Sequence, residues 1–246
     1  MIERNQEFDA LAATYNRCWG AEYHSEAFPV VNHLLLSSLA RQANVLDVCC
    51  GTGQFTRRVF DAGFVVTGID ASDEMLRYAR ENVPGSRFIL ADAREFSLDQ
   101  KFAGAYSVFE SLNHVPDLAG LSKAFLCVRR HLEPRARFVF DLNGEEAFIR
   151  FWNDTSAIVE DDRVCVLRSE YKEHSRLAQC HITLFEEKGA WERRDFTLRQ
   201  TCHKKDDVCR ALENAGFTGI TLYDAEDTGM SEHNGYRRTF FLAQAE

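Results

Sequence analysis

The chain has 246 residues, 45% of them hydrophobic and 27% charged, which excludes a disordered chain and leaves room for one or two domains, with one the better fit. Its 38 acidic against 29 basic residues give a net charge of −9, which argues against a nucleic-acid partner, since a phosphate backbone needs clustered positive charge. No run of 18 apolar residues is present, so no membrane partner is expected.

In chain order, the opening MIERNQEFDA lacks the basic-then-apolar order of a secretory signal. The first 40 residues read as helical, with Val31, Leu34, Leu35, Ser38 and Leu39 on one stripe. Residues 44–50 (NVLDVCC) form a short apolar run before a glycine turn and read as a buried strand. A helix carrying Phe55, Val59 and Ala62 follows, with Gly63 placed to end it. Strands are predicted at 64–69, 87–90, 103–109 and 137–142, and helices after the capping Ser72 and over 118–131. This alternation requires a parallel sheet with helices on both faces, because parallel neighbours need crossover connections.

The pattern breaks after Asn143. Residues 164–201 hold three β-rich runs joined by short polar connectors, which predict antiparallel hairpins. In the middle run Cys180, Ile182 and Leu184 alternate with His181, Thr183 and Phe185. A helix over 206–215 and strands over 218–223 and 237–243 then resume the α/β theme. The expected fold is therefore α/β, a doubly wound seven-stranded mixed sheet with an antiparallel β cover inserted at about 150–203. One domain spans residues 1–246, with a helical lid over about 1–40.

The most informative segment is Asp47-Val48-Cys49-Cys50-Gly51-Thr52-Gly53, at the end of the first strand. Gly51 and Gly53 allow a sharp turn and close approach to a ligand, and the next helix presents its N-terminus there. Asp70 ends the second strand, where its carboxylate can accept from two ribose hydroxyls. Asp92 ends the third and can accept from an exocyclic amine. A dinucleotide dehydrogenase uses similar parts, but its third fingerprint glycine is replaced here by Thr56.

The segments VLDVCCGTGQFTRRV, VVTGIDASDEMLRYAR, RFILADARE and HLEPRARFVFDLN closely resemble the class I S-adenosylmethionine-dependent methyltransferases. The resemblance runs from about Tyr15 to Asn143, and more loosely over residues 206–243. It implies S-adenosylmethionine as cofactor, S-adenosylhomocysteine as product, and cofactor contacts from Tyr15, Asp47, Cys49, Gly51, Gly53, Asp70, Ala71, Met75, Asp92, Ala93 and Phe109. Within these, Asp70 would hold the ribose, Asp92 the adenine amine and Ala93 N–H the adenine ring. Tyr15 would act from the lid. Cys49 departs from the family's usual glycine, and Pro134-Arg135-Ala136 replaces its paired glycines before the fifth strand. The inserted strands and FESLNH (109–114) resemble the small-molecule amine and sugar N-methyltransferases, which implies a small-molecule acceptor and methylation of an amine nitrogen.

Methyl transfer is an in-line displacement whose leaving group needs no protonation, so positioning and water exclusion carry much of it. The candidate catalytic residues are His114, as a base just past the fourth strand, and Glu110, which could bind a cationic acceptor. His181 and Tyr171 are base candidates from the cover. Trp19 and Tyr236 could line the acceptor mouth, whereas Trp152 and Trp191 read as packing. A thiol nucleophile at Cys49 or Cys50 is disfavoured by the apolar strand around it, and no metal-ligating cluster is present. The eight cysteines form no C-x-x-C pair and read as reduced core thiols of a cytoplasmic protein, a monomer or homodimer. The alternatives are a non-catalytic cofactor-binding protein of the same fold and an NAD(P)-dependent oxidoreductase.

Overall fold

A computed structural model describes residues 6–246, so the first five residues of the N-terminal segment lie outside the described chain. Helices α1 (Gln6–Cys18) and α2 (Ala21–Leu34) precede the alternating core. That core comprises β1 (Asn44–Val48), α3 (Gln54–Asp61), β2 (Val65–Asp70), α4 (Asp73–Asn82), β3 (Arg87–Leu90), β4 (Phe102–Ser107), α5 (Leu118–His131) and β5 (Leu132–Asn143). Two caps fix helix starts, the first of them as the sequence implies. Ser72 Oγ accepts from Met75 N at 3.1 Å, and Asp117 Oδ1 accepts from Gly120 N at 2.7 Å.

Helix α6 (Glu145–Phe151) then leads into four antiparallel strands, β6 (Thr155–Glu160), β7 (Arg163–Lys172), β8 (Leu177–Glu187) and β9 (Trp191–Thr201). The sequence reading finds three of these. It misses β6, an edge strand whose side chains are largely exposed and so carry no burial pattern. The chain closes with α7 (Lys205–Asn214), β10 (Phe217–Asp224), a short α8 (Glu232–Gly235) and β11 (Arg238–Ala245).

The large sheet has seven strands in the order β10-β11-β5-β4-β1-β2-β3, all parallel except β11. Helices α5 and α7 pack on one core and α2 and α3 on another, as a doubly wound sheet requires. Strand order reverses between β1 and β4, which opens a crevice at their carboxyl ends. The four-stranded sheet covers that crevice. Its inward face carries Cys165, Cys180, Ile182 and Leu184, packed with Leu11, Tyr15 and Trp19.

The core is aromatic where β5 meets β11. Phe140 lies parallel to Phe241, 4.9 Å between centroids, and 4.9 Å from Phe138. Phe140→Ala should lower the unfolding free energy by about 3–5 kcal/mol. A urea titration checks this, and a loss below about 1 kcal/mol would contradict the packing.

Candidate active site

The turn after β1 takes left-handed backbone at Cys49 (φ 62°), Gly51 (φ 53°) and Gly53 (φ 76°). A Cβ on Gly51 would project toward open space, its nearest neighbour being Tyr15 Cε1 at 3.8 Å. One on Gly53 would meet Ala79 at 3.1 Å, so that glycine lets α3 and α4 approach each other. Asp70 pins the turn. Its Oδ2 accepts from Gly51 N at 2.9 Å and its Oδ1 from Ser72 N at 3.0 Å. Each oxygen keeps a lone pair, which suits a vicinal diol. Burial pushes the Asp70 carboxyl above its usual range, against these backbone hydrogen bonds.

A cavity of about 400 Å³ runs from this turn to the cover. Its cofactor end is formed by Tyr15, Cys49, Gly51, Asp70, Ala71, Met75, Asp92, Ala93 and Phe109, nine of the eleven expected cofactor residues. Gly53 and Asp47 stand behind the turn instead. Asp47 Oδ2 accepts from Thr56 Oγ1 at 2.5 Å and Tyr106 Oη at 3.0 Å, and burial holds its carboxyl up at about 7. Asp92 faces the cavity but is not the free acceptor the sequence suggests. The Arg94 guanidinium engages it, with Nε at 2.9 Å from Oδ1 and Nη2 at 2.5 Å from Oδ2. Burial pushes its carboxyl up, but these bonds outweigh burial and hold it below the usual range.

Past β4 the chain departs from its predicted course. The strand ends at Ser107, and Phe109 (φ 62°) and Glu110 (φ 44°) adopt left-handed backbone. Phe109 stacks on Tyr23 at 4.5 Å. Glu110 reaches Arg238 Nη1 at 2.5 Å, and Arg238 also pairs with the fully buried Asp141. Tyr23 Oη donates to Asp141 Oδ1 at 2.8 Å. Burial pushes the Glu110 carboxyl up, while Arg238 draws it down.

His114 lies on the same cavity wall. Its Nδ1 is 2.8 Å from Arg199 O; a carbonyl only accepts, so Nδ1 carries the proton. Nε2 then accepts from Gln200 Nε2 at 3.1 Å. Burial lowers the imidazole to a pKa of about 4, keeping it neutral. Asn113 anchors this segment between the two sheets, donating to Thr201 O at 2.8 Å and accepting from Asn143 N at 3.0 Å.

The other base candidates fall outside the cavity. His181 points to the outer face of the cover and contacts Thr197 at 2.9 Å. Tyr171 sits on the inner face, but its hydroxyl donates to Glu145 at 3.1 Å and its ring packs on Phe148. Tyr236 packs against Phe151 and Arg150, away from the site. Trp19 and Trp152 both line the cavity, whereas Trp191 is 51% exposed at a hairpin end. Cys49 and Cys50 are pushed up by burial, which removes them as nucleophiles. Sequence reasoning missed Asp141, Arg238 and Gln200. An acid inside the apolar run RFVFDL was the one available signal.

A family model described as a methyltransferase domain matches residues 45–135. The Bacillus subtilis protein named "Putative methyltransferase YqeM" is 29% identical over 218 residues, covering 85% of this chain and 86% of its own. The dTDP-3-amino-3,4,6-trideoxy-alpha-D-glucopyranose N,N-dimethyltransferase of Streptomyces venezuelae is 30% identical over 149 residues, covering 58% and 61%. In fold, the chain matches CalS10, an amino pentose methyltransferase from Micromonospora echinaspora solved with bound S-adenosylmethionine. The TM-score is 0.72 at 23% identity, over 96% of each chain. Glycine turn, the acid at the end of β2 and strand order together sit in the fold of that solved methyltransferase. The chain is similar to methyltransferases over 85% of its length, and S-adenosylmethionine, held by CalS10, is the cofactor its cavity is compared with.

The residues present fit that cofactor, since the cradle beside Gly51 would be filled by any Cβ and Asp70 retains acceptor capacity at its rim. Asp70→Ala should weaken S-adenosylhomocysteine binding by roughly 1–3 kcal/mol, the cost of leaving polar partners unpaired. Calorimetry checks this, and unchanged affinity would remove Asp70 from the site.

Proposed function

We propose that the protein methylates an amine nitrogen of a small molecule, with His114 accepting the proton and Glu110 holding the cationic acceptor. One observation carries this reading: a neutral imidazole and a carboxylate face the same cavity as the ribose carboxylate Asp70. The Streptomyces and Micromonospora proteins are named for amino-sugar acceptors, which supports nitrogen as the target.

When bound, S-adenosylmethionine supplies an electrophilic methyl group. Asp70 holds the ribose and Ala93 N–H the adenine, with Asp92 sharing its oxygens between Arg94 and the ring amine. Helix α1 and the cover close over the cavity and keep water out, so both sheets serve one unit. An amine arrives protonated and must release a proton before its lone pair can attack. The fixed Nδ1–H aims the His114 Nε2 lone pair, and the acceptor's N–H takes the place of the Gln200 amide there. All eight cysteines are free, which supports the reducing cytoplasm as its setting.

His114→Ala should lower turnover by roughly 10²- to 10⁴-fold, the usual contribution of a general base. Binding of S-adenosylhomocysteine should not change, and retained turnover would make His114 a structural residue. The imidazole should titrate near pH 4 by NMR, and a transition centred at 6.5 would contradict its setting. The folded protein then binds fewer protons than the unfolded chain between those values, so the contribution of His114 to stability is present above pH 6.5 and lost toward pH 4. Over that range the wild type should lose more stability than His114→Ala.

A further inference from the structure

The acceptor end of the cavity narrows the substrate class, on the amine reading above. Its walls are apolar, built from Leu11, Trp19, Trp152, Leu167, Ile182 and Leu198. Three carboxylates face the cavity, those of Asp70, Asp92 and Glu110. Among the described residues a single guanidinium lines it, that of Arg94, whose fork grips Asp92 at the cofactor end. No described lysine lines it.

The charged groups of the cavity are mostly acidic, and two further side chains at the acceptor end present acceptor atoms. Gln200 is 4% exposed, and its Oε1 is buried without a hydrogen-bond partner. His114 Nε2 is an acceptor too, held by the Gln200 amide until an acceptor's N–H displaces it. Arg238 serves Glu110 and Asp141 together, so one cation faces two acids and the floor keeps a negative excess. Each of these groups calls for a hydrogen-bond donor or a cation. A diphosphate requires the reverse, converging donors and guanidinium or ammonium groups. Placed here, its charge would be desolvated beside carboxylates, with the Asp92-bound Arg94 as the one lining cation among the described residues.

We propose that the acceptor is an apolar amine, an alkyl or aryl skeleton bearing an amino group and no phosphate, seated between Trp19 and Trp152 with its ammonium toward Glu110 and Gln200. This sets it apart from the dTDP-linked amino sugar for which the Streptomyces venezuelae relative is named. In the reaction the ammonium loses one proton to His114 Nε2. The freed nitrogen lone pair forms the N–CH₃ bond as the S–CH₃ bond breaks, and that bond's electron pair stays on sulfur. Positive charge thereby passes from sulfur to the methylated nitrogen, and His114 returns its proton to water.

The test uses full-length protein loaded with S-adenosylhomocysteine for binding, or supplied with S-adenosylmethionine for turnover. The probes are arylalkylamines graded from benzylamine to tryptamine, 2-phenylethanol as the hydroxyl match of phenethylamine, dTDP, and a dTDP-3-amino sugar. At least one amine should bind and be methylated while dTDP fails to bind. Glu110→Gln should raise the KM of that amine about tenfold or more, as expected for losing a charged hydrogen bond. Trp152→Ala, which leaves the ion cluster intact, should also raise that KM without changing S-adenosylhomocysteine affinity. Binding of dTDP, or turnover of the dTDP-3-amino sugar with none of the simple amines, would overturn the proposal. Methylation of 2-phenylethanol but not phenethylamine would instead refute the amine reading and the ammonium contact with it, so the two failures are distinguishable.

Discussion

Arg238 on β11 meets two carboxylates, the fully buried Asp141 and the largely buried Glu110, and the shape of the site follows from that meeting. A buried ion cluster is tolerable only when its hydrogen bonds are complete. Here Asp141 accepts from Tyr23 Oη and from Glu110 N, and Tyr23 Oη in turn accepts from Phe109 N at 3.0 Å. Two successive left-handed residues, each costing about 1–3 kcal/mol, persist because surrounding structure over-determines them. Four elements do so here: α2, the turn after β4, β5 and β11. The outcome is a Phe109 ring lodged beside the glycine turn and a Glu110 that lines the cavity.

That arrangement also sets the electrostatics. Burial raises Asp70 and Glu110, which means their charged forms lack full compensation in the protein alone. A bound cation supplies it. The cofactor carries one positive charge more than its thioether product, and an amine acceptor arrives as a cation. A cavity short of positive charge therefore favours both reactants and releases the neutral product more readily. His114 is kept neutral by burial, which outweighs the negative bias around it.

Much of this was legible in the sequence because it is local. The glycine turn, the acids at the ends of β2 and β3, and the Ser72 cap each occupy a few adjacent residues, and the helix over 118–131 has its observed bounds. What escaped depends on docking. Asp92 and Arg94 are neighbours in sequence, yet only the folded turn closes the guanidinium onto the carboxylate. His181 lies outside because Cys180 and Ile182, on the alternate face of β8, dock inward, and no spacing rule says which face meets α1. Gln200 and Trp152 become cavity residues only when the cover sits over the crevice. Strand β4 stops short because its continuation serves the ion cluster instead of the sheet.

The central claim is that negative charge at the floor of the cavity selects cations. Calorimetric affinities of S-adenosylmethionine and S-adenosylhomocysteine, measured in parallel for the wild type and Glu110→Gln, test it most directly, because the two ligands differ by one positive charge. The wild type should favour the sulfonium, and Glu110→Gln should narrow that preference. An identical affinity ratio in both proteins would contradict the account.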